Sequence, residues 1–194
     1  MSGLADRLGA ALEVPAAEPP IEGDYPELRA GATKQAAVLI AVTDRDEPGV
    51  LLTVRREHLR THAGQIAFPG GRVEPGEEPV AAALREAHEE TLLDPHNVEV
   101  VGPLEPYRTV TGYFITPVLG VVPPDQALEP HEHEVAELFE APLSFLLDPA
   151  NQRLVSALFQ GRERHYYEIL WNRRRIWGAT AAMIVNLSRR LQWR

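Results

Sequence analysis

The amino-acid sequence predicts an α/β fold, an α/β/α sandwich in which helices cover both faces of a mixed β-sheet. Short β-prone apolar runs alternate along the chain with segments of helical periodicity, which is the pattern of such a sandwich. The 194 residues are 44% hydrophobic, enough for one domain with a sizeable core. We therefore expect a single domain over residues 35–194, preceded by a helix and a Pro-rich arm over residues 1–34.

The individual elements follow from local patterns. Leu4, Leu8 and Leu12 recur at helical spacing and predict a short amphipathic helix before the Pro-rich arm. Two apolar runs, 36–42 and 49–55, flank a polar turn and predict a β-hairpin. Further strands are expected over residues 65–68, 98–104, 114–122, 135–139, 164–171 and 175–177, with a tight turn at 172–173. Helices are expected over 79–92, 142–147 and 179–191, the last with Met183, Ile184 and Leu187 facing inward.

The composition excludes several classes of protein. The chain has no cysteine, so disulfides, thiolate catalysis and Cys-ligated zinc are excluded. The first twenty residues lack the apolar core of a secretory signal, and no apolar stretch approaches the length that spans a bilayer. We expect a cytoplasmic protein without a membrane partner.

A cluster of carboxylates gives the strongest indication of function. Glu86, Glu89 and Glu90 stand at i, i+3 and i+4 of the predicted helix, so they project from one side. Like charges at these spacings destabilise a helix by roughly 0.2–0.5 kcal/mol per pair, and Arg85 offsets only part of this. Because hard divalent cations prefer carboxylate oxygens, the cluster indicates a site for Mg²⁺ or Mn²⁺.

A run of Glu on a helix is more often a solvated surface, but two further features favour a metal site. The opposite helix face, with Val80, Leu84, Ala87 and Thr91, is mostly apolar and is expected to pack on a core. The helix also follows a Pro/Gly loop at 68–71, where the backbone can approach a ligand closely.

The same segment resembles the signature box of the Nudix hydrolases. The matching residues are Gly71, Glu77, Arg85, Glu86, Ala87, Glu89, Glu90 and Leu93. One position departs, since Leu92 stands where the box has a glycine that ends the helix. The resemblance implies the Nudix fold and metal-dependent hydrolysis of a diphosphate. It implies as metal ligands Glu86, Glu90, Glu89 and the carbonyl of Gly70, with Arg85 orienting the glutamates.

The residues before this box resemble an element of the coenzyme A pyrophosphatases within the Nudix superfamily. The matching residues are Leu51, Leu52, Thr53, Arg55, Arg60, Gly64, Phe68, Pro69, Gly70 and Gly71, whereas Arg56 replaces a Ser or Thr. The resemblance implies that coenzyme A, a small-molecule substrate, is split into 3′,5′-ADP and 4′-phosphopantetheine. The expected substrate-binding residues are Arg55, Arg60, Phe68, Gly71 and Tyr113. The alternative is Nudix activity on ADP-ribose or another nucleoside diphosphate derivative.

The residue types near the box are consistent with such a substrate. Arg55, Arg56, Arg60 and His62 form a cationic stretch after a predicted strand, and guanidinium groups suit phosphate oxygens. These arginines alternatively serve only to neutralise the Glu cluster. Tyr113 either stacks on an adenine beside the phosphates or is an ordinary strand residue.

The acidic loop at 129–134 is a candidate source of the general base. We favour Glu134, followed by Glu132, whereas the alternative is a solvated acidic loop. His131 and His133 resemble a metal pair but have no obvious third ligand for zinc. The expected catalytic residues are Glu86, Glu89, Glu90, Arg85 and Glu134.

The net charge of −9 is unevenly distributed. Residues 153–194 contain nine Arg and two acidic residues, a net +7, which leaves −16 on the first 152 residues. This asymmetry indicates either an anion-binding surface or charge pairing with the acidic part. The basic segment lacks a nucleic-acid-binding motif, so we expect no nucleic-acid partner. Arg173, Arg174 and Arg175 are candidates to hold the 3′-phosphate of coenzyme A, in a monomer or a homodimer.

Overall fold

The computed structural model describes residues 3–16, 18–24, 34–57, 64–159 and 162–191, except for the side chains at 159 and 162. The helices are α1 (Gly3–Glu13), α2 (Pro79–Thr91), α3 (Leu143–Leu147) and α4 (Ala179–Leu191). The strands are β1 (Lys34–Thr43), β2 (Gly49–Arg55), β3 (Ile66–Ala67), β4 (Gly70–Arg72), β5 (Glu99–Pro103), β6 (Tyr107–Arg108), β7 (Tyr113–Val122), β8 (Val135–Pro142), β9 (Gln152–Phe159), β10 (Arg162–Trp171) and β11 (Arg174–Trp177). Arg60, predicted to bind substrate, and His62 of the same cationic stretch lie outside the described residues.

The first eight strands form one mixed sheet around β1. One edge of β1 pairs in parallel with β7 along its whole length, from Lys34 opposite Tyr113 to Thr43 opposite Val122. The other edge pairs antiparallel with β4 and then with β2. The predicted hairpin of β1 and β2 is therefore confirmed, and β4 places two consecutive glycines beside the central strand.

The side chains of β1 alternate between two apolar cores, one on each face of the sheet. Leu39 and its neighbours on that face pack against the alanines of α2. Ile40 and its neighbours on the other face pack with residues of α1, α3 and α4. Helices thus cover both faces of a mixed sheet, so the predicted α/β/α sandwich is confirmed.

A second sheet of three antiparallel strands, in the order β11-β10-β9, extends the C-terminal half. The predicted turn at Asn172 and Arg173 joins β10 to β11, and both residues have positive φ, as a two-residue hairpin turn requires. Strand β9 was not predicted. It carries Leu154 and Leu158, which are 61% and 79% exposed, so its apolar side chains do not mark a core strand.

The two ends of the described chain are joined. Strand β1 begins at Lys34, beside the expected boundary between the N-terminal arm and the domain. Leu4 and Leu8 of α1, before that boundary, are nevertheless buried in the same core as α4. The amide side chain of Asn186 in α4 accepts from the backbone N–H of Ile21 at 2.8 Å and donates to its carbonyl at 3.0 Å. The N-terminal arm is therefore fastened to the body by the last helix.

Helix α2 carries the predicted metal ligands and starts with Pro79 in its first turn, where the missing N–H leaves no hydrogen bond unmade. Its predicted inner face packs on the core, where Ala87 and Thr91 are fully buried, and two further alanines join it. Ala82 and Ala83 are fully buried with Ala87, whereas Val80 and Leu84 are only partly buried. Small side chains on this face bring the helix backbone close to the sheet.

The helix ends in an unusual way for a bulky residue. Leu92 follows the last helical residue with φ 56° and ψ 17°, a left-handed conformation that glycine adopts without steric strain. Its backbone N–H still bonds the carbonyl of His88 at 2.8 Å. The departure from the expected glycine therefore preserves the helix terminus at the expense of backbone strain.

We expect Leu92→Gly to raise the free energy of unfolding by about 1 kcal/mol, because a left-handed L-residue is strained by about that amount. Leu92 is 50% exposed, so little apolar burial is lost. Leu92→Ala is the matched control, since alanine keeps the strain. Urea denaturation of the three proteins tests this, and equal stability of the glycine and alanine variants would contradict it.

Candidate active site

The carboxylates of α2 line one side of an open cavity of about 450 Å³. The remaining walls come from the end of the helix and from the acidic loop that precedes β8. The lining residues are Glu86, His88, Glu89, Glu90, Leu92, His131 and Glu134. The structure therefore brings the predicted metal ligands and the preferred general base, Glu134, to one cavity.

Gly71 allows the carboxylate of Glu86 to approach the sheet, and Gly70 allows β4 to approach β1. A Cβ atom on Gly71 would lie 2.3 Å from the carboxylate carbon of Glu86, so a side chain there would displace this glutamate. A Cβ atom on Gly70 would lie 2.4 Å from the backbone oxygen of Ala37. The N–H of Gly70 donates to Oε2 of Glu90 at 3.1 Å. In this structure Gly70 contacts the carboxylates through its amide.

Arg85 connects the loop to the helix. Its guanidinium donates to both carboxylate oxygens of Glu77, at 2.9 and 3.0 Å, and to Glu86 at 3.0 Å. It also contacts Glu89 at 3.3 Å and the carbonyl of Arg72 at 3.0 Å. The hydrogen bonds with Glu77 raise the pKa of Arg85 more than burial lowers it. The guanidinium therefore stays charged. Arg85 thus positions the glutamates and holds the Glu77 loop against α2.

Burial changes the acidity of two of the helix glutamates. Glu90 is 4% exposed, and burial raises its pKa to about 7, opposed by the Gly70 N–H and by Arg55 at 3.5 Å. Burial also raises the pKa of Glu86, against the opposing effect of Arg85. Glu134 lies close enough to raise the pKa of both. Negative charge is therefore concentrated here beyond what the two arginines compensate.

The acidic loop is fixed by the open carbonyls at the end of α2. The N–H of Glu129 donates to the carbonyl of Thr91 at 3.0 Å, and the N–H of His131 donates to that of Glu90 at 2.9 Å. These bonds satisfy acceptors that a helix terminus leaves without partners. The N–H of Glu134 in turn bonds the carbonyl of His131 at 3.1 Å. The helix terminus thus determines where Glu134 stands.

The chemistry of these groups fits a divalent metal ion. Carboxylate oxygens are hard ligands, and the buried carboxyl of Glu90 needs a cation to ionise fully near neutral pH. Within the described ranges, no three acidic or histidine side chains converge on one metal position. Instead, Glu86 and Glu90 face Arg85 and Arg55. A metal ion would therefore compete with these arginines for the carboxylates.

The expected substrate-binding residues fall into different environments. Arg55 lies 3.5 Å from Glu90 but does not line the cavity, and its buried Nε has no hydrogen-bond partner among the described residues. Tyr113 is half-buried at the edge of the sheet. The prediction that Phe68 binds substrate is wrong. Phe68 is 2% exposed and packs in the core shared with α4, so its ring is inaccessible to substrate.

Two of the three arginines predicted to hold the 3′-phosphate are instead paired with acidic side chains. Arg174 forms two hydrogen bonds with Glu137, at 2.6 and 2.8 Å, and lowers the pKa of that carboxyl. Arg175 is paired with Glu168. Charge pairing, one of the two sequence interpretations, is thus observed for these two candidates for the 3′-phosphate, whereas Arg173 is exposed in its turn.

Sequence reasoning overlooked His88 as part of the cavity wall. Its Nδ1 lies 3.1 Å from the carbonyl of Leu93, so the ring folds back over the helix end. Its position two residues before Glu90 carried no recognisable signal. His131 was considered only as half of a zinc pair with His133, whereas it lines the cavity of the glutamates.

The sheet, the glycine pair and the acidic helix define a family. A model described as a NUDIX domain matches residues 33–163, and the chain belongs to the Nudix family. Nudix hydrolase NudL of Enterobacter sp. (strain 638) is 43% identical over 156 residues, covering 80% of this chain and 81% of that protein. NudL of Escherichia coli (strain K12 / DH10B) is 44% identical with the same coverage.

Comparison with solved structures agrees on the fold. The crystal structure of a Nudix hydrolase from M. Smegmatis, RenU, superposes with a TM-score of 0.50 at 23% sequence identity. The match covers 64% of this chain and 74% of that one. At this identity the similarity supports the fold alone. In the described part of the chain, none of the helices is long and apolar enough to cross a membrane.

Glu90 predicts a pH dependence of stability in the metal-free protein. Its pKa rises from an ordinary 4.5 to about 7 on folding, so its stabilising contribution is complete below about pH 4.5. That contribution is lost as the pH rises through 7, by at most about 3 kcal/mol. Urea denaturation in a chelator from pH 4.5 to 8 measures it.

Glu90→Gln serves as the comparison, because it removes the titrating group and nearly preserves its shape. We expect wild type to lose stability relative to this variant as the pH rises. A difference between the two proteins that does not change with pH would contradict the raised pKa.

Proposed function

We propose that this Nudix hydrolase cleaves the diphosphate bond of coenzyme A, giving 3′,5′-ADP and 4′-phosphopantetheine, with Mg²⁺ or Mn²⁺. The observation that carries hydrolysis is the seating of Glu86 on Gly71 and of Glu90 on Gly70, at an open cavity. The preference for coenzyme A rests on the sequence element from Leu51 to Gly71. The names of the NudL relatives specify no substrate.

Glu86 and Glu90 would hold the divalent cation. Glu89, the most exposed of the three glutamates, would assist them. When bound, such a cation neutralises the charge that develops on the phosphoryl oxygens. Arg55, whose Nη1 lies 3.5 Å from Glu90, would bind the diphosphate through its guanidinium. Arg85 keeps the glutamates in place through its contacts with Glu77 and Glu86.

Glu134 is the proposed general base. Its side chain has no hydrogen bond or ion pair with any described residue, and its backbone is fixed by the loop at the end of α2. It is therefore available to accept the proton of the attacking water. Glu132, the second candidate, lies 3.6 Å from the ring of His133 and does not line the cavity.

The substrate assignment is tested by measuring kcat/KM for coenzyme A and ADP-ribose with Mg²⁺ and with Mn²⁺. We expect coenzyme A to be hydrolysed faster, with 3′,5′-ADP as a product. Reaction in ¹⁸O-labelled water identifies the phosphorus that is attacked. Faster turnover of ADP-ribose would overturn the coenzyme A assignment and favour the alternative Nudix activity.

The role of the glutamates is tested with Glu86→Gln and Gly71→Ala. We expect each to lower kcat by at least about 100-fold, because the first removes a carboxylate charge and the second displaces the same carboxylate. Both variants should bind Mn²⁺ more weakly, measured by calorimetry. The matched control is Glu132→Gln, a nearby exposed glutamate outside the cavity, for which wild-type kcat is expected. Unchanged turnover in Glu86→Gln would exclude this role.

A further inference from the structure

A cationic group surrounds Tyr113 at the start of β7. Nζ of Lys34 lies 5.6 Å from the centre of the Tyr113 ring, and Cζ of Arg72 lies 6.0 Å from it. Nη2 of Arg72 also donates to the Tyr113 hydroxyl at 3.3 Å. The strand pairing accounts for this grouping, because Lys34 is directly opposite Tyr113 and Arg72 is opposite Ala36. All three side chains therefore project from the same face of the sheet.

Neither cation is neutralised by a carboxylate of the described residues. Within the described ranges, neither Lys34 nor Arg72 forms an ion pair with a carboxylate. In contrast, Arg45, Arg174 and Arg175 each bind one or two acidic side chains. In a chain of net charge −9, two exposed cations held on one ring, with no acidic partner in the described part of the chain, form a local positive site.

This cationic group lies next to the proposed catalytic residues. Arg72 directly follows Gly71, which packs on the carboxylate of Glu86. The carbonyl of Arg72 accepts a hydrogen bond from Arg85 at 3.0 Å. The Arg72 side chain leaves β4 on the opposite face from Gly71 and its contact with Glu86. The two places thus flank the end of β4, and a ligand that occupies both would pass around this strand end.

We propose that Lys34, Arg72 and Tyr113 form a second anion subsite, which holds the 3′-phosphate of coenzyme A while its diphosphate lies at the glutamates. The inference rests on the proposed function and adds the group that distinguishes this substrate from simpler dinucleotide-like diphosphates. A phosphate monoester has three terminal oxygens. The Lys34 ammonium, the remaining N–H groups of Arg72 and the Tyr113 hydroxyl proton supply matching donors.

The test is the binding of adenosine 3′,5′-bisphosphate and of 5′-AMP to the full-length protein, measured by calorimetry. We expect wild type to prefer the bisphosphate by at least about tenfold, the effect of one charge-assisted hydrogen bond. Lys34→Gln and Arg72→Gln should each remove most of this preference and leave 5′-AMP binding within about twofold. Equal losses for both ligands, or an unchanged preference, would overturn the subsite.

Arg108→Gln is the matched control. Its guanidinium lies 5.1 Å from the centre of the Phe114 ring. Phe114 follows Tyr113 in β7 and is paired with Arg108, so both of these side chains lie on the other face of the sheet. We expect it to keep the full preference for the bisphosphate. Thermal unfolding should be unchanged in all three variants, because the three side chains make no buried contacts that the variants remove.

Kinetics separate this inference from the proposed function. Hydrolysis of coenzyme A and of 3′-dephospho-coenzyme A is compared in the same proteins. Wild type that hydrolyses neither compound defeats the proposed function, whereas the binding preference still decides the subsite. If wild type hydrolyses both compounds and the variants lose the same factor in kcat/KM with each of them, only the subsite is refuted. We expect Lys34→Gln and Arg72→Gln to lose about tenfold in kcat/KM with coenzyme A only.

Discussion

The close approach of two glycines to two glutamates is the constraint on which this site depends. The carboxylate of Glu86 occupies the space where a side chain at Gly71 would stand, and the N–H of Gly70 donates to the carboxylate of Glu90. Burial raises the pKa of Glu90, and the hydrogen bond from Gly70 opposes this increase only in part. The strain of holding negative charge there is relieved only in part by Arg85, so the folded chain favours binding of a cation. Helix, loop and chemistry follow from one packing contact.

The helix terminus extends this constraint to the rest of the cavity. The last carbonyls of α2 need partners, and the N–H groups of Glu129 and His131 supply them. A requirement of backbone hydrogen bonding therefore positions the acidic loop and places Glu134 at the same cavity as the helix glutamates. The left-handed Leu92 belongs to the same arrangement, because the turn at this residue redirects the chain beside the cavity.

The sequence predicted what depends on local spacing. The acidic helix, the first hairpin and the turn at 172–173 were all recognisable, because turn chemistry and periodicity act over a few residues. It failed where distant elements decide. Phe68 looked accessible within its Gly-rich loop, but residues from α4 bury it. Arg174 looked available for a phosphate, but it forms an ion pair with Glu137, which is distant in sequence. The exposed leucines of β9 have no periodic relation to a core, so that strand gave no signal.

The contact between the first and last helices has a consequence for how the chain folds. The guanidinium of Arg190 donates to the carbonyls of Leu12 and Val14, across a sequence separation of more than 170 residues. Leu8 is fully buried in a core that α4 completes. This apolar side of the sheet is therefore fully covered only when α1 and α4 have both docked on it. Contacts between residues so far apart in sequence slow folding.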